Sequence, residues 1–179
     1  MKILVVNCGS SSIKYQLFDM PAQSVLATGL IERIGEQESA LIQKSRGQET
    51  RTVQSIPDHS EGMRLIIQAL TQGPTAVIDN LTEVNAVGHR VVHGGESFSE
   101  SVILDEQTIG TIESVAELAP LHNPPNLVGI RAAQRALPAI PQVAVFDTAF
   151  HASIPPVAYT YALLFIHKSL VLAQTLAMR

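Results

Sequence analysis

Four short stretches of this 179-residue chain collect side chains able to do chemistry. The first is NCGSSSIK, Asn7 to Lys14, set between a short apolar run and an alternating one. Gly9 lets the backbone turn tightly, and three hydroxyls with free backbone N–H groups follow. Such a turn can cradle a phosphate, because amides and hydroxyls all donate to anionic oxygens. Lys14 can add a positive charge, and Asn7, at the carboxyl end of a strand, can hold a metal-bound water. The same string also makes a plain serine-rich β-turn with Lys14 on a solvated face. It is not a Walker loop, since the second glycine and the GK[ST] ending are missing.

The second stretch is GHRVVHGGE, residues 88–96. Alternation puts His89 and Val91 on one face of a strand and Arg90 and Val92 on the other. An arginine among apolar neighbours is costly unless paired. Its planar guanidinium suits a carboxylate or phosphate held two-pronged, and equally an internal ion pair with a nearby acid. His89 and His93 lie four apart, which on a strand is not the spacing of a zinc pair, so both read as structural. The third stretch, APLHNPPN, sets His122 just before a proline-started helix, where an imidazole and a helix N-terminus together can take an anion. A histidine packed in a loop is the plainer use. In the fourth, VAVFDTAFH, Asp147 ends an apolar strand at the kind of position where α/β sheets bind ligands. A carboxylate there can serve as a base, hold a metal, orient a substrate or simply cap the next turn. Phe150 beside it can wall a small apolar pocket. An anion cradle, a strand arginine, a histidine at a helix start and an acid at a strand end together fit phosphoryl transfer involving a small carboxylate.

These residues need a scaffold, and the bulk properties permit one. The chain is 46% hydrophobic and 16% charged, as expected of a globular domain. A formal net charge of −4 argues against a nucleic-acid partner, which calls for a basic stripe. No apolar run of about 18 residues marks a membrane span. The start MKILVVNCGSSS is too short in its apolar part for a signal peptide. The single cysteine, Cys8, excludes an internal disulfide, reads as a small buried residue and fits a reducing cytoplasm.

The pattern predicts strands at 2–6, 13–19 and 24–33, then a hairpin of SALIQKS and ETRTVQSI around Arg46-Gly47. A helix follows, with Met63, Ile66, Ile67 and Leu70 on one face, Asp58 as its cap and Gly73-Pro74 as its stop. A strand at 84–95 runs into the glycine turn. Helices are predicted over 104–120, capped by Asp105, and from the cap Asn123 through PPNLVGIRAAQRA, before a last strand at 142–147. Strands first and then alternation point to an α/β or α+β domain with a mixed sheet.

The stretches VVNCGSSSIKYQLFD, GHRVVHGGE, PLHNPPNLVGI and VAVFDTAFH, in this order, closely resemble the acetate kinase family over residues 1–163. The resemblance implies an α/β, ribonuclease-H-like domain of the actin-like, sugar-kinase-like superfamily, with a mixed sheet and flanking helices. It implies reversible phosphoryl transfer between ATP and acetate, giving acetyl phosphate and ADP with Mg²⁺, in a cytoplasmic homodimer. Carried over residue by residue, it places Asn7 at the magnesium, Ser10 and Ser12 in the phosphate loop and Lys14 on ATP. It sets Arg90 on the acetate carboxylate, His122 on phosphate, and Val92, Leu121 and Phe150 around the methyl group. Asp147 becomes the catalytic acid/base candidate, expected to orient Arg90 or a metal-bound water more than to abstract a proton.

After YTYALLF the resemblance fails, and IHKSLVLAQTLAMR reads as a divergent tail over 164–179. The expectation is an N-terminal kinase domain at 1–163 without the second domain, and so one that is inactive alone. The competing expectations are a non-catalytic anion-binding or interaction remnant, and a propionate or butyrate kinase relative.

Overall fold

The computed structural model describes residues 1–160. Strand β1 (Lys2–Cys8) pairs antiparallel with β2 (Ser12–Asp19), which pairs in turn with β3 (Ser24–Glu32). β4 (Ala40–Ser45) and β5 (Gln48–Val53) extend this meander to one edge. Their two-residue loop has positive φ at both Arg46 (49°) and Gly47 (76°), the twist that a tight hairpin favours. On the other side of β1, β6 (Val84–Val91) and β8 (Gln142–Phe146) run parallel to it. A two-residue strand β7 (Val102–Ile103) closes that edge, antiparallel to β8. The eight-stranded sheet has the order β5-β4-β3-β2-β1-β6-β8-β7.

Period-two alternation sorts the faces. Leu4, Val6 and Cys8 of β1 and Ile13, Tyr15 and Leu17 of β2 are buried, while Lys14 and Gln16 between them are exposed. Helices α1 (His59–Thr71) and α3 (Asn123–Ala136) lie against each other and cover the buried face. α1 turns Met63, Ile66 and Leu70 inward, as its spacing predicts. The Asp58 carboxylate accepts from the N–H groups of Ser60 and Glu61 and caps its start. A second apolar cluster joins Val91 and Phe146 to Ile109 and Ile112 of α2 (Glu106–Ser114) and to Ile130 of α3.

Three expectations need correction. The helix predicted over 104–120 stops at Ser114, Val115 leaves the helical conformation (φ −103°, ψ 9°), and a 3-10 turn covers Ala116–Leu118. The Thr111 and Ser114 hydroxyls donate back to carbonyls of the same helix, which loosens its last turn. Val115 also packs on the glycine turn, where a Cβ on Gly95 would come 2.9 Å from its Cγ1. β7 is absent from the predicted elements, because two residues carry no period. Asn123 is not a cap: His122 holds that place without a side-chain bond, and Asn123 is fully buried.

α3 sits unusually close to β1. A Cβ on Gly129 would lie 2.1 Å from the Cys8 Sγ. Gly129→Ala should therefore destabilise, although alanine favours helix by about 1 kcal/mol. Overpacking costs about 1–3 kcal/mol, so a lower thermal midpoint is expected, measured by circular dichroism.

Candidate active site

The parallel strands β1, β6 and β8 end together, and this end of the sheet gathers the predicted residues. Val6 pairs with His89, which sets Asn7 of β1 beside Arg90 of β6. Arg90 pairs with Val145, and Asp147 follows two positions on, at the start of a 3-10 turn (Asp147–His151). Lys14 of β2 pairs with Asn7 from the other side. Lys14, Asn7 and Arg90 thus form a row across three adjacent strands, on the face away from α1 and α3.

Asp147 and Arg90 form a two-pronged ion pair. Arg90 Nε donates to both carboxylate oxygens at 3.0 and 3.1 Å, and Nη2 donates to Oδ2 at 2.6 Å. The pair holds the guanidinium firmly in its charged form. Of the guanidinium's five N–H donors, Asp147 engages those on one edge. Arg90 Nη1 makes only a long contact, 3.5 Å, to the Asn7 Oδ1, so the opposite edge is free to meet a ligand. Both partners are exposed (48% and 42%), which limits their contribution to stability but suits binding.

The β1–β2 connection is a tight turn in which the Gly9 N–H donates to the Ser12 carbonyl at 2.8 Å. Ser10 and Ser11 at its tip are exposed, and Ser12 is half-buried on the same strand face as Lys14. Below the turn, two buried asparagines of α3 replace the ladder where β1 and β6 diverge. Asn126 donates to the Cys8 carbonyl (2.7 Å) and accepts from Val92 N–H (3.1 Å). Asn123 accepts from His93 N–H (3.1 Å) and donates to the His93 carbonyl (2.8 Å). These clamps, and that of His59 on Gly9, escape sequence reading, although an asparagine three residues after Asn123 on an otherwise apolar helix face is a signal.

His122 is exposed, but α3 offers no backbone nest for an anion. The N–H groups of Asn123 and Asn126 already donate to Ala119 and His122 carbonyls, and Pro124 and Pro125 have none. Any anion contact there falls to the imidazole and the helix field alone. Leu121 (79%) and Phe150 (83%) are exposed, whereas Val92 is half-buried. A groove of about 560 Å³ runs from Asn7 and Lys14 across Thr28 and Leu30 to Ile42 and Lys44. It adjoins the row but does not cover Arg90 and Asp147. Among the described residues no three His, Cys, Asp or Glu side chains cluster as metal ligands. No helix among them is long and apolar enough to cross a membrane.

The remaining candidates are structural. His89 is buried, with Nε2 donating to the Gln142 Oε1 at 2.8 Å. His93 uses Nδ1 to accept from Gly95 N–H. Burial pushes the Cys8 thiol up to about 12, which removes it as a nucleophile.

Three antiparallel strands continued by parallel ones, with α1 and α3 behind them, make the ribonuclease-H-like lobe of the actin-like ATPase fold. Solved structures share it: acetate kinase of Porphyromonas gingivalis superposes with a TM-score of 0.89 at 42% identity, over 95% of this chain and 43% of that one. A propionate kinase of Francisella tularensis subsp. tularensis SCHU S4 superposes with a TM-score of 0.84 at 36% identity, over 93% and 42%. The sequence model of the Acetokinase family matches residues 2–171. The acetate kinase of Halothermothrix orenii is 55% identical over 164 residues, 91% of this chain and 41% of that protein. The chain belongs to the acetokinase family. It spans about two fifths of the length of these relatives. The tail expected at 164–179 lies outside the described residues.

Two outcomes follow from the buried groups. Cys8 should resist iodoacetamide at pH 8 in the folded chain and react on adding denaturant; equal rates in both states would contradict its burial. Burial lowers the His89 pKa from 6.5 to about 4, so the unfolded chain takes up a proton that the folded one refuses. Stability from this group is full above pH 6.5 and is lost as pH falls towards 4. Urea midpoints measured across that window should decline, and His89→Gln should flatten the decline.

Proposed function

We propose that this chain carries the carboxylate- and phosphate-binding lobe of an acetate kinase, which moves a phosphoryl group between ATP and acetate. The observation that carries the reading is the Arg90 guanidinium, held from one edge by Asp147 and open on the other, beside the Gly9–Ser12 turn. Acetate is ionised at pH 7 and is already a nucleophile, so it needs little base. Asp147 then acts chiefly by aiming Arg90 at the carboxylate. Ser10, Ser12, Lys14 and His122 take phosphate oxygens, and Val92, Leu121 and Phe150 flank the methyl group. Rate enhancement comes from alignment and from neutralising the transferring oxygens.

The donor set suits Mg²⁺ as a nucleotide-borne ion. Magnesium takes one or two protein oxygens and relies on phosphates and water for the rest. The Asn7 amide oxygen would hold it there, with Asp147 orienting a metal-bound water, and the ion would supply charge neutralisation on the phosphates. The reading extends to acetate and ATP as partners, to residues 1–163 as the N-terminal domain and to a cytoplasmic location, which the lone buried thiol of Cys8 supports. It extends also to a homodimer. The likeness to a propionate kinase favours propionate as the second substrate to test. One methylene changes binding by only about 1–3 kcal/mol.

The test places residues 1–163 into the Halothermothrix orenii enzyme in place of the matching segment. The chimera should form acetyl phosphate from acetate and Mg-ATP. Arg90→Ala in it should cost about 10²–10³-fold in kcat/KM, the scale of one lost charge-stabilising donor. Asp147→Asn should lower kcat more than it raises the KM for ATP. A folded chimera without activity, or one indifferent to Arg90→Ala, would overturn the reading. The 179-residue chain assayed alone should be far slower, because phosphoryl transfer needs water excluded from both sides.

A further inference from the structure

The backbone of the Gly9–Ser12 turn is held from behind by two side chains on two different helices. Asn126 Nδ2 of α3 donates to the Cys8 carbonyl, and His59 Nε2 of α1 donates to the Gly9 carbonyl, each at 2.7 Å. Both side chains are more than nine-tenths buried (7% and 4% exposed for His59 and Asn126). His59 is not spent on its own helix, whose start is capped by Asp58. It joins positions fifty apart in sequence.

Peptide planarity turns this clamp into a statement about the ligand side. In a trans peptide the N–H points opposite to the C=O, and the described residues hold no cis bond. Drawing the Gly9 carbonyl down towards α1 therefore turns the Ser10 N–H up and out of the turn. The neighbouring Gly9 N–H is already used by the Ser12 carbonyl. Among the described residues the Ser10 N–H has no protein acceptor. Rotation of this peptide would bury that donor and expose a carbonyl, reversing the turn's polarity towards an anion.

We propose that His59 is a positioning residue for phosphate: by fixing the Gly9 carbonyl inward it presents the Ser10 N–H as an outward donor. Since Nε2 donates to a carbonyl, it carries the proton. The inference rests on reading the Gly9–Ser12 turn as a phosphate site.

The test uses the 179-residue chain, labelled with ¹⁵N and ¹³C, and inorganic phosphate and Mg-ATP as probes. His59→Gln keeps an N–H donor at the reach of Nε2; His59→Asn keeps an amide too short to reach Gly9. In the parent chain the Ser10 amide signal should shift on titration. His59→Asn should move the free-state Gly9 carbonyl signal and weaken the probe by about tenfold, the size of one hydrogen bond to a charged group. His59→Gln should restore both. Equal probe affinity in all three chains, with Ser10 responding, would overturn the positioning role and leave the phosphate site standing. A parent chain whose Ser10 ignores both probes would overturn the two together. A His59→Gln chain no better than His59→Asn would assign His59 to packing and overturn the proposal.

Discussion

Arg90 is a full positive charge between a buried histidine and a buried valine of β6, and Asp147 keeps it charged, aimed and useful. Their meeting is set by register. Arg90 pairs with Val145, and period two puts Asp147 on the same face as Val145, one step further along. A slip of one residue between β6 and β8 would send the carboxylate to the helix side. What forbids the slip is packing: Val91, Ala144 and Phe146 must all face the second apolar cluster. The ion pair itself is exposed and adds little stability. The core therefore specifies the site, and not the reverse.

The helices serve the site as a backing. α3 is drawn against β1 by the absence of a side chain at Gly129, which leaves room for Cys8. That approach brings Asn123 and Asn126 under the ends of β6 and β1, where a parallel ladder runs out and polar backbone would otherwise be orphaned. α1 adds His59 beneath the turn. Polar groups that would be costly in a core are satisfied here, and each bond fixes a backbone atom next to a ligand-facing one.

Much of this was legible in the sequence because periodicity is local. Strand faces, the α1 stripe, the Arg46-Gly47 hairpin and the buried Cys8 all follow from neighbours within a few residues. Arg90 was legible as a charge within a largely apolar strand and Asp147 as an acid ending one, but their pairing spans 57 positions and depends on which strands lie together. The same limit hid His59 and reassigned Asn123: a buried polar side chain is recognised by what it reaches, and reach is a tertiary property. The break at Ser114 and the two-residue β7 were hidden for another reason, since hydroxyl back-bonding and a single ladder contact leave no periodic trace. The proline pair that marked the start of α3 also removes the amides that an anion there would need.

The most direct test of the register-made guanidinium is the Arg90 Nε–H signal in a ¹⁵N-labelled chain titrated with acetate. The Asp147 contact should already place that signal apart from the other arginines, and acetate should move it saturably while Arg64 and Arg131, paired elsewhere on the surface, stay fixed. An Arg90 signal that ignores acetate, or that moves no more than those two, would contradict the claim that the free edge of this guanidinium is a carboxylate site.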